Sequence, residues 1–447
     1  MHYEDFKQLV ISAAQAEGLT DYELYYNASE STNISTFRKE INEFSSSKEG
    51  GVCFRVLLNG QMGYASTEDL SEEEAKAIVR RAKESCAVLE SAEEQFLGEA
   101  GGAYQSFEKK EYPLPETSAL IQAALKGQEL AYGADPRVTD GTSTMVMNIK
   151  DSVAIYNSRG LDLFRENSAS LTYLRAVVKD GEEMNNSFEI KAGPIETWNQ
   201  ENLVKGAVEK ALAKLGAQVA PTGNVPVIFS PDAMASFLGT FSSAFSAEAA
   251  QKGLSPLAGK EGEKIAADCV TLVDDPFHPD ALMPTSFDAE GMPTRKKNVI
   301  EKGVFTTLLH NLKTAKVAGV STTGNASKRG YQGAVNVSPF SFVLAPGDLS
   351  EEELLAKAGD GVYINDVMGT HAGASPISGD FSLQSEGFMI EGGKKTYAVK
   401  AFTVAGNFYE MLKQIEAVGS NFRMDSFGST SFGSPSVLVK GLSIAGK

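Results

Sequence analysis

Cysteine and histidine are both scarce in this chain of 447 residues, which has three of the first and four of the second. Cys53, Cys86 and Cys269 are odd in number and far apart, which excludes a disulfide framework. His2, His278, His310 and His371 never fall within ligand spacing of one another, so a metal site built from them would need long-range convergence. Long apolar runs are missing as well, and none approaches the roughly 18 residues of a membrane span. Met1 to Gly18 carries Glu4, Asp5 and Lys7 among its apolar residues, so it reads as an amphipathic helix and not as a signal peptide. Basic charge is also short: 41 Lys and Arg against 58 Asp and Glu leave a formal net charge of −17. That balance argues against general affinity for nucleic-acid backbones or anionic membranes. Arg295-Lys296-Lys297, the compact basic run of the C-terminal half, reads as a solvated turn. These absences point to a cytoplasmic protein with neither nucleic acid nor membrane as partner.

What is present is an ordinary globular mixture, 42% hydrophobic and 22% charged, with no extended disorder expected. Single cores stop growing near roughly 250 to 300 residues, so the length implies two or three domains. Ala220 to Pro226, with two prolines and a glycine, is the expected linker between halves. It separates residues 1–220, an N-terminal α+β region divisible at about 1–96 and 113–220, from residues 221–447, a β-rich region with flanking helices. The expected class is α+β, with antiparallel or mixed sheets.

Local signals place the elements. Phe6, Val10, Ala13 and Ala14 share a helical face, whereas Tyr22 to Tyr26 and Val52 to Leu58 have strand composition, and Asn59-Gly60 is a hairpin turn before Met62 to Ala65. Ser71-Glu72-Glu73-Glu74 opens a helix as a capping box, with Ala75, Ile78, Val79, Ala82 and Cys86 as its buried stripe. Further helices are expected at about Thr117 to Tyr132, Glu201 to Leu215 and Phe408 to Ala417, and strands across Met145 to Tyr156, Leu161 to Phe164, Ser168 to Val178, Ser187 to Ile190 and Val437 to Val439. Ser230-Pro231-Asp232 caps a helix bearing Met234, Phe237, Leu238, Phe241 and Phe245. Its phenylalanines would fill a core or face a partner. Val299 to Gly303 and Met389 to Gly393 echo each other as two similar hairpins.

Candidate chemistry is thin. His371 sits in Gly369-Thr370-His371-Ala372-Gly373, with Ser375, Ser378 and Asp380 close behind, but Gly-x-Ser-x-Gly is absent and triad members usually come from separate elements. His310 reads as a hydrogen-bonded structural residue, His278 as a surface-loop residue, and Asp274 and Asp275 as loop caps. The glycine-spaced stretch from Asp288 to Tyr331 is the most informative feature. Gly291 to Thr294 reads as a turn, Val299-Ile300 and Val304-Phe305 as a hairpin, and Leu308 to Val317 as a short helix. Thr322-Thr323-Gly324-Asn325 then leads to Arg329-Gly330-Tyr331.

Together with Gly253 to Gly259, Asp274-Asp275-Pro276, Ser378-Gly379-Asp380-Phe381, Gly406-Asn407 and Val418 to Asn421, that stretch resembles the TldD/PmbA family across nearly the whole chain. The family, once called modulators of DNA gyrase, comprises two-subunit metallopeptidases that trim small or unfolded peptides. The resemblance implies that an active subunit carries His-Glu-x-x-x-His on the helix before Gly253, plus a late cysteine. Those residue types can hold Zn²⁺ and activate its water. Here the motif positions fall on about Leu238, Gly239 and Ser243, and no cysteine lies between Asp425 and Gly433. The chain therefore looks like the PmbA-type (TldE-like) subunit. That implies no cofactor in this chain, zinc in a TldD-like partner, a heterodimer or, in isolation, a homodimer, and a peptide substrate. Loops carrying Asn325, Arg329, Tyr331, His371, Ser378 and Asp380 would frame the peptide cleft by supplying polar contacts to an extended chain. Two other readings stand beside this one: a stand-alone hydrolase using His371, or a gyrase-type regulator acting by protein binding.

Overall fold

Strands between Tyr22 and Ala192 pair as one six-stranded antiparallel sheet in the computed structural model, which describes residues 1–87, 96–106, 113–425 and 430–446. Its strands are β1 (Tyr22–Phe37), β2 (Glu40–Leu58), β3 (Gln61–Thr67), β4 (Ser143–Asn157), β5 (Asp162–Asp180) and β6 (Glu183–Ala192), in the order β3-β2-β1-β4-β5-β6. Helices α1 (Tyr3–Ala16), α2 (Glu72–Cys86), α3 (Thr117–Ala134) and α4 (Gln200–Leu212) accompany it. Leu24, Val52, Phe54 and Val56 pack against Phe6 and Val10 of α1 and Ile78 and Val79 of α2. At the other end Leu174, Ala176 and Val178 meet Ala131 of α3 and Val204, Ala207 and Val208 of α4. Ser71 caps α2 by accepting from the Glu74 N–H, as its sequence position foretold, while Cys86 is only half-buried at the end of the stripe.

Several expected strands are longer than the sequence signals. β1 and β2 continue as a hairpin to a turn at Arg38-Lys39, whose φ values are +50° and +68°. Glu40 to Glu49 is exposed throughout, so no apolar alternation marks it as strand. Leu161 to Phe164 and Ser168 to Val178 belong to the one strand β5, whose paired neighbours β4 and β6 hold it continuous.

The expected linker is not a free connection. β7 (Gln218–Val219) already pairs with Lys394–Asn407, and β8 (Gly223–Phe229) is a core strand. β8, Gly361–Met368, Asp380–Glu391, Lys394–Asn407 and Val437–Ala445 pair in sequence, and the last pairs back to β8, closing a five-stranded barrel. A second, six-stranded sheet runs Val304–Phe305, Lys297–Glu301, Leu272–Asp274, Ser341–Leu344, Ser431–Ser434, Arg423–Asp425. The architecture is the expected α+β. Both echoed hairpins form, turning at Lys302-Gly303 and Gly392-Gly393, all four at positive φ. The expected helix Phe408 to Ala417 stops at Lys413, because Ile415–Val418 pairs with Val437–Ala445 instead.

Helix α5 (Pro231–Phe241) lies between barrel and second sheet, with Ser230 accepting from the Ala233 N–H. Phe237 meets Phe229 and Phe381 edge-on at 5.0 and 4.9 Å, Phe241 stacks on Phe408 at 4.3 Å, and Phe245 packs on Phe342 at 5.3 Å. Of the two roles open to these phenylalanines, the fold assigns the core: all three are fully buried.

Candidate functional site

The face of the N-terminal sheet opposite its helices is not left to solvent. Tyr25, Val153, Ile155 and Leu161 pack against Phe287, Ala289, Met292, Ala326 and Tyr331, so the Asp288 to Tyr331 stretch forms the seam between the two halves. Two of its glycines are fixed by close packing, Gly291 against the N-terminal half and Gly324 within the stretch itself. Gly291 has φ +76° and a Cβ there would stand 2.5 Å from a Leu161 methyl; Gly324 has φ +68° and a Cβ would run into the Pro293 carbonyl. Across the seam Tyr104 donates to the Gly291 carbonyl (2.8 Å), Asn167 to the Pro284 carbonyl (3.0 Å) and Tyr331 to Glu68 (2.8 Å). Helix Leu312–Ala318 is shorter than expected because Asn311 caps it.

The seam buries charge. Glu23 and Arg55, cross-strand partners in β1 and β2, are ion-paired with Nε to Oε1 at 3.0 Å. Asp288 accepts backbone N–H bonds from Glu290, Met292 and Ala326, each 2.9 Å. Burial still outweighs those donors and pushes its carboxyl up to about 6. Glu290 accepts from the Leu312 N–H at 2.8 Å and is pushed up to about 8, by burial first and the neighbouring Asp288 charge second. Lys328, with Nζ 4.1 Å from the Tyr25 ring centroid, is drawn down to about 8 by burial and then by Arg55. Sequence reasoning missed Glu23, Arg55, Asp288, Glu290 and Lys328. For Glu23 and Arg55 the available signal was one opposite charge in each of the apolar segments Tyr22 to Tyr26 and Val52 to Leu58, which implies a buried pair, whereas Asp288, Glu290 and Lys328 have no such local signal.

Two cavities open along this seam. A lobe of about 370 Å³ lies between β1, β4 and β5 and the segments around Phe287, Ala326 and Phe340. A second, of about 840 Å³, lies between Phe188 to Pro194 and the segments around Asp232, Pro279 and Arg423. Leu282 lines both, so they are neighbouring lobes of one interdomain groove.

The expected site residues divide into two groups. Arg329 is exposed and lines the smaller lobe. Asn325 stands behind it, fully buried: its amide N–H groups go to Asp274 (2.7 Å) and the Ser338 carbonyl (3.0 Å), and its oxygen accepts from Lys297 (3.0 Å). Tyr331 is buried against Gly51 at the base of the same loop. His371, Ser378 and Asp380 are exposed on and beside the short helix Thr370–Gly373 and line neither lobe. Ser378 Oγ accepts from the Asp380 N–H (3.3 Å) and Asp380 accepts from Asn407 (2.9 Å), which holds its carboxyl below the usual range. Among the described residues no hydrogen bond joins His371 to either, so the nucleophile–base contact that a hydrolase needs is not formed. Lys297 corrects the solvated-turn reading of the basic run, since it is buried with Nζ 2.9 Å from the fully buried Asp274. His310 is buried, and its Nδ1 has no partner among the described residues. Asp275 accepts from the Phe277 N–H at 3.0 Å, the loop-capping bond assigned to it.

The positions implied for zinc also have a definite place. Leu238 is in the core, a Cβ on Gly239 would touch the Phe432 ring at 3.4 Å, and Ser243 is exposed. Helix α5 and strand Ser431–Ser434 are thus neighbours, and a phenyl ring occupies the contact. Residues 426–429 of the segment scanned for a late cysteine lie outside the described residues. A branched alkyl group, a glycine and one exposed serine do not fit Zn²⁺, and among the described residues no group of three His, Cys, Asp or Glu is placed to hold a metal.

Three family models match the chain: PmbA/TldA metallopeptidase domain 1 over residues 22–86, the central domain over 110–215 and the C-terminal domain over 222–446. A metalloprotease of Methanothermobacter thermautotrophicus is 30% identical over 398 residues, 86% of this chain and 85% of that one. Metalloprotease PmbA of Escherichia coli O157:H7 is 25% identical over 424 residues, 93% of this chain and 90% of that one. TldE from Thermococcus kodakarensis superimposes with a TM-score of 0.90 at 28% identity, covering 98% of this chain and 99% of that one. A Thermotoga maritima protein named for modulation of a DNA gyrase gives 0.90 at 30%, covering 99% and 100%.

Proposed function

This chain belongs to the PmbA/TldD metallopeptidase family, and we propose that within it the protein is the subunit that binds peptide beside a zinc-bearing TldD-like partner and does not cut. The observation that carries this reading is the contact between α5 and strand Ser431–Ser434. There Leu238, Gly239 and Ser243 offer no imidazole or carboxylate, and Phe432 packs where the helix meets the strand. No reaction step is assigned to this chain, and zinc is expected only in the partner. The likeness to TldE supports the choice of subunit. The interdomain groove supports peptide binding, with Arg329 facing the ligand and Asn325 and Tyr331 holding its loop. His371, Ser378 and Asp380 would offer a separate polar contact region on the barrel. The proposed assembly is a heterodimer in the cytoplasm, with a homodimer when the chain is isolated.

The test is reconstitution. Purified chain, partner chain and the two together are incubated with an unfolded peptide, with and without a zinc chelator. Zinc-dependent cleavage should need the partner and rise when this chain is added. Metal-dependent cleavage by this chain alone would overturn the assignment.

A further inference from the structure

The net charge of −17 makes any local excess of cations informative, and the smaller lobe of the groove has one. Its charged lining residues are Arg165, Lys328 and Arg329 against Asp151 and Asp288. The two carboxylates are committed elsewhere: Asp151 pairs with Arg165 at 3.2 Å, and Asp288 takes three backbone N–H bonds with its two oxygens. Arg165 is thereby committed too. Lys328 Nζ donates to the Tyr331 carbonyl (3.2 Å) and lies over the Tyr25 ring, but no carboxylate pairs with it among the described residues. Arg329, exposed in the same loop, likewise has no acidic partner among the described residues. Beside these two cations the wall is mainly apolar, with Tyr25, Ile149, Val153, Leu171 and Phe287 among its residues and Asn27, Ser29 and Thr285 as polar interruptions.

An apolar pocket with a few convergent polar groups is the usual form of a small-ligand site, and about 370 Å³ sits at the small end of the roughly 300 to 1,000 Å³ such sites span. We propose that this lobe binds an apolar carboxylate, of which the free C-terminus of a short peptide is one source, with Lys328 and Arg329 holding the carboxylate and the sheet face receiving the apolar tail. The energetics agree with the geometry. Arg55, Cys53 and Glu23 are the titratable groups that act on Lys328 from the sheet, and burial together with Arg55 disfavours its charged form. An arriving carboxylate supplies the counter-charge that the site lacks. The site does not depend on which chain cuts a peptide: a failed titration beside intact cleavage by the mixed complex would sink this proposal alone.

Isothermal titration of the full chain with N-acetyl-leucyl-leucine, its C-terminal amide and octanoate tests it. The acid should bind at least about tenfold more tightly than the amide, the difference that one charge-assisted hydrogen bond supplies. Octanoate binding as well as the peptide acid would make any apolar carboxylate a source, whereas silence from octanoate would single out the peptide terminus. Arg329→Gln, an exposed change whose folding is checked by its unfolding midpoint, should weaken the acid by about tenfold and the amide little. Lys328→Met should flatten the fall in acid affinity that the native chain shows from pH 7 to pH 9. Equal binding of acid and amide, unchanged binding by the Arg329 variant, or a flat native pH profile would overturn the proposal.

Discussion

Glu290 gives the sharpest test of how the two halves are joined. Its carboxyl is buried in the seam, and the unfolded chain would release the proton near its ordinary value of 4.5 whereas the folded chain holds it to about 8. Between those limits the native state keeps a proton that the unfolded state has given up, so stability falls as pH rises, by roughly 1.4 kcal/mol per unit. The full interval corresponds to about 5 kcal/mol, present below pH 4.5 and lost once pH passes 8. The charge of Asp288 supplies part of the shift, so about 3 to 5 kcal/mol is assigned to Glu290 itself. Glu290→Gln keeps the size and an acceptor for the Leu312 N–H but cannot ionise. Urea unfolding followed by fluorescence of Trp198, the single tryptophan, measures the effect at pH 5 and pH 8.5. The variant should exceed the native chain by less than about 1 kcal/mol at the lower pH and by the stated amount at the higher. Parallel pH curves for the two proteins would refute the argument, because they would mean that Glu290 ionises alike in folded and unfolded chains.

Two further outcomes concern the framework behind the groove. Phe241→Ala removes a ring stacked 4.3 Å from Phe408 in the fully buried aromatic row; it should cost about 3 to 5 kcal/mol in chemical denaturation. Lys297→Met leaves Asp274 buried without its ammonium partner and takes a donor from Asn325. A loss of about 3 to 5 kcal/mol is expected, read as a lowered urea midpoint with an unchanged slope, and a midpoint like that of the native chain would show that Asn325 and the Phe340 N–H suffice for Asp274.

Much of the fold was legible where one residue type permits one local structure. The Ser71 and Ser230 caps, the Asn59-Gly60 turn and the stripe through Ala75, Ile78, Val79 and Ala82 all stand where the sequence puts them. Legibility failed where the partner strand supplies what the side chains do not. Glu40 to Glu49 is exposed and, apart from Ile41 and Phe44, polar, yet it is strand because β1 bonds its backbone in register. Ala220 to Pro226 has linker composition, yet β8 starts at Gly223 because the barrel needs a strand between Gly361–Met368 and Val437–Ala445. The expected site residues fall in different surroundings. Arg329 lines a cavity, whereas Asn325, one of the same expected set, has its amide bonded within the fold.

By itself the sequence determined the family, and at about Leu238, Gly239 and Ser243, where the resemblance puts the zinc motif, it offers no imidazole or carboxylate, a matter of residue type that no fold can change. Only the tertiary structure decided that Asp288 to Tyr331 is the seam between halves, that Glu290 and Lys328 are buried in it, and that two cations there face an apolar lobe without acidic partners among the described residues. Burial and proximity belong to pairs of segments: Tyr331 meets Glu68 across 263 residues of chain, a distance over which no local pattern carries information.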